Sequence, residues 1–306
     1  MRTGAQSPAL PGYPGAPHRR RVPRTDQHYV DLGAGAPVLF VHGNPSWSYM
    51  WRHLLTALSP GYRCIAPDLT GMGLSARPVT SAEPAERLRA QLDDLQALYG
   101  HLVVERGLPA HGWTLVLHDW GGPLGIAWAR RNPGVVARLV VLNTVGFRLP
   151  ESYRVPAYLR WIRDIAPLAS LVHATNLFTR LAVRVGCRRR LPPEVRRAYL
   201  LPYAKKQDRR AVVDFIRCIP RDGGDDPVWR ELDLPDGHAE PTTVPLFVGW
   251  GMKDPVFTPG LADEWQRRYP HATVRRYPAA GHFVMEDVAD ELAGHLLDFL
   301  HRTERR

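Results

Sequence analysis

A chain of 306 residues is long enough for one large α/β domain with an insertion and too long for a minimal binding module. Its three cysteines, Cys64, Cys187 and Cys218, are odd in number and widely spaced with no C-x-x-C pair, which argues against a disulfide framework or a zinc site and points to a reducing cytoplasm. The net charge of +10 comes mostly from dispersed arginines without a nucleic-acid-binding motif, and no run approaches the roughly 18 apolar residues of a membrane span, so neither nucleic acid nor a transmembrane segment is expected.

In chain order, residues 1–24 are rich in Pro, Gly and Arg and read as a flexible tail or a strap across the surface; Pro8, Pro11 and Pro14 interrupt any secretory signal. Apolar, β-branched runs then recur at 38–42, 62–66, 113–118, 138–143, 244–250 and 273–277. Helical periodicity lies between several of them, at 84–107, 121–131 and 288–302. This alternation predicts a mostly parallel sheet flanked by helices, whose reactive groups gather at the carboxyl ends of the strands. The alternation stops near residue 147 and resumes near 243. The intervening stretch has helical periodicity, several prolines and no strand pattern, and predicts a helical cap inserted between two strands. The expected division is therefore 1–24 tail, 25–146 and 243–306 core, and 147–242 cap. Basic clusters at Arg188-Arg189-Arg190, Lys205-Lys206 and Arg209-Arg210 all fall in the cap, where they suit a partner or an anionic substrate.

Residues 115–125, Leu-Val-Leu-His-Asp-Trp-Gly-Gly-Pro-Leu-Gly, carry a strand into a glycine turn with Asp119 at its apex. A serine there would make an acyl-enzyme; a carboxylate can attack a carbon bearing a leaving group and form an alkyl ester that water then hydrolyses. Asp254 and His282 follow later strands in the chain order nucleophile, acid, histidine. His282 must be neutral to accept a proton from water, and Asp254 must fix its tautomer. Asn143, at the other strand end where an acid could stand, is an amide and cannot balance an imidazolium. In Val41-His-Gly-Asn-Pro-Ser-Trp the Asn44 N–H should face Asp119, and the Asn44 amide with the Trp120 indole N–H supplies two neutral donors for a halide or carboxylate. Taken singly, an Asp in a glycine turn or a Gly-His pair is an ordinary structural feature. Trp47, Trp51 and Trp128 read as core or pocket wall. No metal-ligand spacing or nucleotide-binding loop is present, so no cofactor is expected.

These residues resemble the haloalkane dehalogenases and their relatives in the α/β-hydrolase superfamily. The resemblance rests on His42-Gly-Asn-Pro-Ser-Trp-Ser-Tyr-Met-Trp-Arg, Ala66-Pro-Asp-Leu-Thr-Gly-Met-Gly-Leu-Ser, His118-Asp-Trp-Gly-Gly, Leu142-Asn-Thr, Gly251-Met-Lys-Asp and Gly281-His-Phe-Val-Met-Glu-Asp. The set Asp119, Asp254, His282, Asn44 and Trp120 looks like the third dehalogenase subfamily, which includes the β-lactone decarboxylases of bacterial olefin biosynthesis. Gly71-Met-Gly-Leu-Ser, Val195-Arg-Arg-Ala-Tyr-Leu-Leu-Pro-Tyr and Phe215-Ile-Arg-Cys-Ile-Pro look closer to those decarboxylases. The resemblance implies an α/β-hydrolase fold, an apolar small-molecule substrate and a place in a multi-enzyme assembly. It also implies either cleavage of a long-chain β-lactone to a cis-alkene and carbon dioxide or hydrolysis of a carbon–halogen bond. The N-terminus and Pro255-Val-Phe-Thr-Pro-Gly depart from the pattern. Epoxide hydrolysis would need an aromatic residue in place of Asn44 and a pair of cap tyrosines, for which Tyr199 and Tyr203 are the candidates. A non-catalytic ligand receptor on the same fold is the remaining alternative.

Overall fold

The computed structural model describes residues 10–76, 83–221, 226–232 and 244–304. The strands are β1 (Arg19–Arg21), β2 (His28–Leu32), β3 (Ala36–Val41), β4 (Tyr62–Pro67), β5 (Trp113–His118), β6 (Val136–Leu142), β7 (Leu246–Gly251) and β8 (Thr273–Tyr277). They form one sheet in the order β1-β2-β4-β3-β5-β6-β7-β8. Pairing is antiparallel for β1 with β2 and β2 with β4, and parallel from β4 through β8.

The helices of the core are α1 (Arg52–Leu58), α2 (Pro84–Val104) and α3 (Gly121–Arg131). Among the described residues six more lie between β6 and β7: α4 (Ala157–Asp164), α5 (Ala166–Thr175), α6 (Leu177–Gly186), α7 (Pro193–Leu200), α8 (Arg210–Arg217) and α9 (Pro227–Leu232). After β7 come α10 (Pro259–Arg268), α11 (Val284–Asp287) and α12 (Ala289–Glu304). No strand interrupts α4 to α9 among the described residues. The expected return from cap to core at 242/243 lies outside the described residues.

Strand side chains alternate between two cores, because successive Cβ atoms point to opposite faces. Leu39, Val41, Leu115, Leu117, Leu139 and Val141 pack with α2, α3 and α10. Val38, Phe40, Val116, Val140 and Leu142 pack on the other face with α1 and α12. Both faces are covered, so β5 reads Trp-Thr-Leu-Val-Leu-His and is buried at every position. α2 starts with Pro84 in its first turn and buries Leu88, Leu92, Leu95, Leu98 and Leu102, a stripe at helical spacing.

Residues 10–24 form a strap: the Tyr13 hydroxyl bonds Ser48 at 2.6 Å, and the Pro11 carbonyl accepts from the Tyr49 hydroxyl at 2.9 Å. Arg19–Arg21 add an edge strand, so the sheet begins inside the segment that composition sets apart as a tail. Asp31 explains part of the arginine content of this edge. It takes Arg63 in two bonds of 2.9 Å and ion pairs with Arg20 at 3.4 Å and Arg106 at 3.5 Å. Parallel pairing of β5 with β3 and β6, and of β6 with β7, brings the loops after Val41, His118, Leu142 and Gly251 to one edge.

Candidate active site

Asp119 follows β5 with φ +50, a left-handed backbone that a non-glycine residue holds only where its surroundings impose it. Three contacts impose it here. The Thr144 hydroxyl donates to the Asp119 main-chain carbonyl at 2.5 Å, and the Gly122 N–H donates to the same oxygen at 3.0 Å. The Asn44 N–H donates to Asp119 Oδ1 at 2.6 Å. Close approach of the two loops requires glycine at residue 43, where a Cβ would lie 2.1 Å from Asp119 Oδ1. Gly121 likewise lets α3 close on β3, since its Cβ would lie 2.0 Å from the Val41 carbonyl.

His282 Nδ1 meets Asp254 Oδ2 at 2.8 Å, and His282 Nε2 faces Asp119 Oδ2 at 3.8 Å. That gap exceeds a hydrogen bond and leaves imidazole and carboxylate facing one space beside the carboxyl carbon. Asp254 is locked by four donors: the Val256 and Phe257 N–H groups on Oδ1 at 2.7 and 3.1 Å, and Asn143 Nδ2 at 2.9 Å with the His282 ring on Oδ2. The five residues singled out in sequence, Asp119, His282, Asp254, Asn44 and Trp120, therefore converge, and all but Asp254 line one cavity.

Burial pushes the Asp119 carboxyl above the ordinary carboxylate range, while His282 and the Trp120 and Asn44 N–H groups pull it back. For His282 burial favours the neutral ring, but Asp254, by charge and by hydrogen bond, together with Asp119, outweighs it. The net shift is upward from 6.5.

Three neighbours hold this geometry, of which sequence singled out only Asn143, and that as an amide unfit to be the acid. His118, at the end of β5, packs against His282 with ring centroids 4.5 Å apart and planes tilted by 54°, and bonds the His282 carbonyl through Nε2 at 2.9 Å. Burial, then the neighbouring His282, hold His118 well below its usual range, so it is neutral and donates that bond. Phe257 lies nearly parallel to the His282 ring, with centroids 5.7 Å apart. Asn143, with φ +40, exchanges hydrogen bonds with Gly251 and donates to Asp254. The amide at the alternative acid position thus orients the acid. The Asn-Thr pair after β6 was the signal for it.

The Asn44 amide is oriented from the cap: its Nδ2 donates to the Val212 carbonyl of α8 at 3.0 Å. The Trp120 indole packs on Phe215 of α8 with centroids 5.6 Å apart. Tyr199 and Tyr203 do not face the cavity. Tyr199 donates to Glu286 at 2.5 Å and Tyr203 to the Ser46 carbonyl at 2.9 Å, so the tyrosine pair expected for epoxide chemistry is turned into structural bonds. Trp47, Trp51 and Trp128 are buried core residues. The cap's basic clusters are partly structural as well: the Arg209 guanidinium caps the Tyr203, His173, Ala174 and Ala204 carbonyls, and Arg210 pairs with Asp214 at 3.0 Å. Among the described residues no group of three or more His, Cys, Asp or Glu is placed to hold a metal ion.

The cavity over Asp119 measures about 400 Å³ and is walled by α4, α5, α6 and α8, with Leu159, Ile162, Phe178 and Leu181 among its apolar contacts. A second space of about 90 Å³ shares Asp119, Trp120, Leu159, Ile219 and Val256 with it and runs between Val145, Leu149, Val155, Trp229 and Leu232. Two unequal apolar lobes thus meet at one carboxylate.

The family described as alpha/beta hydrolase fold matches residues 36–288. Over 278 residues the chain is 36% identical to the cis-3-alkyl-4-alkyloxetan-2-one decarboxylase of Shewanella oneidensis, covering 90% of this chain and 86% of that protein. Over 301 residues it is 36% identical to the protein of the same name from Xanthomonas campestris, covering 95% and 98%. Haloalkane dehalogenase 2 of Mycobacterium bovis is 30% identical over 275 residues, covering 89% and 90%. The crystal structure of the haloalkane dehalogenase DbeA from Bradyrhizobium elkani superposes with a TM-score of 0.80 at 27% identity, covering 94% of this chain and 98% of that one. The chain belongs to the α/β-hydrolase fold family, in the group of enzymes that contains the cis-3-alkyl-4-alkyloxetan-2-one decarboxylases and the haloalkane dehalogenases.

Proposed function

We propose that this enzyme opens a cis-3,4-dialkyl β-lactone with Asp119 and releases carbon dioxide and a cis-alkene. The observation that carries the reading is the pair of apolar lobes meeting at Asp119. A four-membered ring with alkyl groups on adjacent carbons fills two lobes, whereas a terminal alkyl halide fills one.

Asp119 attacks ring carbon C4 from the face opposite its ring oxygen, and the C4–O bond breaks with inversion. The freed carboxylate on C3 meets the Asn44 amide and the Trp120 indole N–H. The bond from C3 to that carboxylate then breaks, its electron pair forms the C3=C4 double bond, and the C4–O bond to Asp119 breaks to return the nucleophile. Inversion followed by anti elimination keeps the two alkyl groups cis. Attack on C4 rather than on the ring carbonyl is supported by the backbone donors. The Asn44 and Trp120 N–H groups, which would receive a carbonyl oxyanion, are already spent on Asp119. His282, held in place by Asp254, favours the ionised form of Asp119 in this reaction. With an alkyl halide, a second reading that the same donors and the dehalogenase relatives support, His282 takes a proton from the water that cleaves the ester.

The lobes make the reading testable. Val155→Phe narrows the smaller lobe, and each methylene it excludes should lower kcat/KM by about fourfold, from the roughly 0.8 kcal/mol of burying one CH₂. In a series of cis-lactones, alkene release should fall with the length of one ring substituent and not the other. An unchanged chain-length profile, or no alkene from the native protein at any length, overturns the reading.

The pH dependence has a defined sign for the hydrolytic reaction. Asp119 must be ionised and His282 neutral, and both groups are shifted upward, so halide release under steady state should rise with pH through a limb above 6.5. Asp254→Asn removes the larger upward influence on His282 and should move that limb to lower pH while lowering the plateau. A native limb at or below 6.5 contradicts the assigned pair.

The cytoplasm is the compartment we propose, in keeping with Cys64, Cys187 and Cys218 being free and buried. We place the protein in a multi-enzyme assembly on chemical grounds: a lactone with two long chains is poorly soluble and suits direct transfer from the enzyme that makes it.

A further inference from the structure

Soluble helices bury their apolar stripe, yet α4, α5 and α6 leave theirs open. α4 buries only Leu159, and α5 buries Ala169 and Val172. Trp161 is 57% exposed, Leu171 49%, Leu177 45%, Leu181 48% and Val185 50%. On α6, Leu177, Leu181 and Val185 recur every fourth residue as one stripe opposite the buried Thr179, Val183 and Gly186. These three, with Tyr158, also line the cavity over Asp119, so the stripe is the rim of its mouth.

Charge completes the pattern. Residues 165–193 contain five arginines and no aspartate or glutamate. Arg180 and Arg184 flank the apolar stripe on α6 and are exposed. A lightly buried helical face with large apolar side chains between arginines is the composition of a segment that lies in a membrane interface. Among the described residues no helix is long and apolar enough to cross a membrane, so contact would be with one leaflet.

We propose that the rim formed by α4, α5 and α6 rests on an anionic phospholipid surface, with the cavity opening into the lipid. Trp161, Leu171 and the α6 stripe would lie among the acyl chains, and Arg180 and Arg184 against lipid phosphates. This inference goes beyond the proposed reaction and does not depend on it, since it concerns how an apolar molecule reaches the cavity.

The test is co-sedimentation of the full chain with vesicles of phosphatidylcholine alone and with vesicles in which phosphatidylglycerol replaces part of it. Native protein should bind the anionic vesicles at least about tenfold tighter, and added salt should weaken that binding. Arg180→Glu with Arg184→Glu should lose roughly thirtyfold or more, given the share of each arginine near a charged surface. Trp161→Glu with Leu171→Glu should abolish binding, and neither pair touches the cavity. Thermal melting checks that each variant folds; Arg180→Gln with Arg184→Gln replaces any that does not and should still lose about thirtyfold. Equal binding to both vesicles, or charge variants that bind like native protein, overturns the proposal. So does a dimer that Trp161→Glu with Leu171→Glu dissociates while vesicle binding persists, because the face would then belong to a protein partner.

Discussion

Asp119→Asn should lower alkene release from a cis-lactone and halide release from a bromoalkane by about 10⁴-fold or more, with ligand affinity retained. Asparagine has the shape of aspartate and can still accept the Asn44 N–H through its oxygen, so the turn after β5 keeps its bonds. What it lacks is an anionic oxygen to form the ester. Stability should move the other way. Burial raises the Asp119 pKa in the folded protein, so its contribution is favourable only in acid and is lost as pH rises through the folded pKa. At neutral pH the ionised carboxylate works against folding, and a neutral isostere removes that opposition. The melting temperature of Asp119→Asn at neutral pH should equal or exceed that of native protein. A variant that turns over normally, or that loses activity only because it unfolds, contradicts the role given to Asp119.

His282→Ala separates the two chemistries that share this site. With a bromoalkane, Asp119 still displaces halide, but no base takes the proton from the hydrolytic water. One equivalent of halide should appear in a burst, followed by turnover about 10²- to 10⁴-fold below native. Intact-mass measurement should show the protein carrying one alkyl group, and peptide mapping should place it on Asp119. With a cis-lactone the loss should be much smaller, because ring opening and loss of carbon dioxide consume no water. His282 there only favours the ionised nucleophile, so its removal should displace the acid limb of alkene release upward. An adduct on another residue would reassign the nucleophile; equal loss in both reactions would place a water step in the lactone reaction too.

Much of this was legible in the sequence because the site is built from backbone positions that leave a compositional trace. The run at residues 113–118 predicts β5 to its ends, since a strand buried on both faces is continuously apolar, and the glycines at residues 121 and 122 mark the turn that lifts Asp119. Asp254 and His282 were readable for the same reason: each stands just past a strand end. β1 and β2 were not readable, because Arg19–Arg21 have no apolar alternation and owe their strand form to pairing with β2 at the sheet edge. α10 was hidden by the prolines at residues 255 and 259, the second of which stands in its first turn. The contributions of His118, Phe257 and Asn143 are packing relations between separate loops, and spacing along one chain does not encode them. Tyr199 and Tyr203 show the converse: a tyrosine in a cap reads as a candidate acid until its hydroxyl is seen bonded to Glu286 or to the Ser46 carbonyl.

One competition measures whether Asp119 acts on a lactone. Purified protein is given a cis-3,4-dialkyl β-lactone and a bromoalkane of matching chain length in the same vessel, and alkene and halide are followed together. Alkene of cis geometry, formed in step with carbon dioxide and ahead of halide, is the predicted result. Halide without alkene would make the protein a dehalogenase and contradict the account.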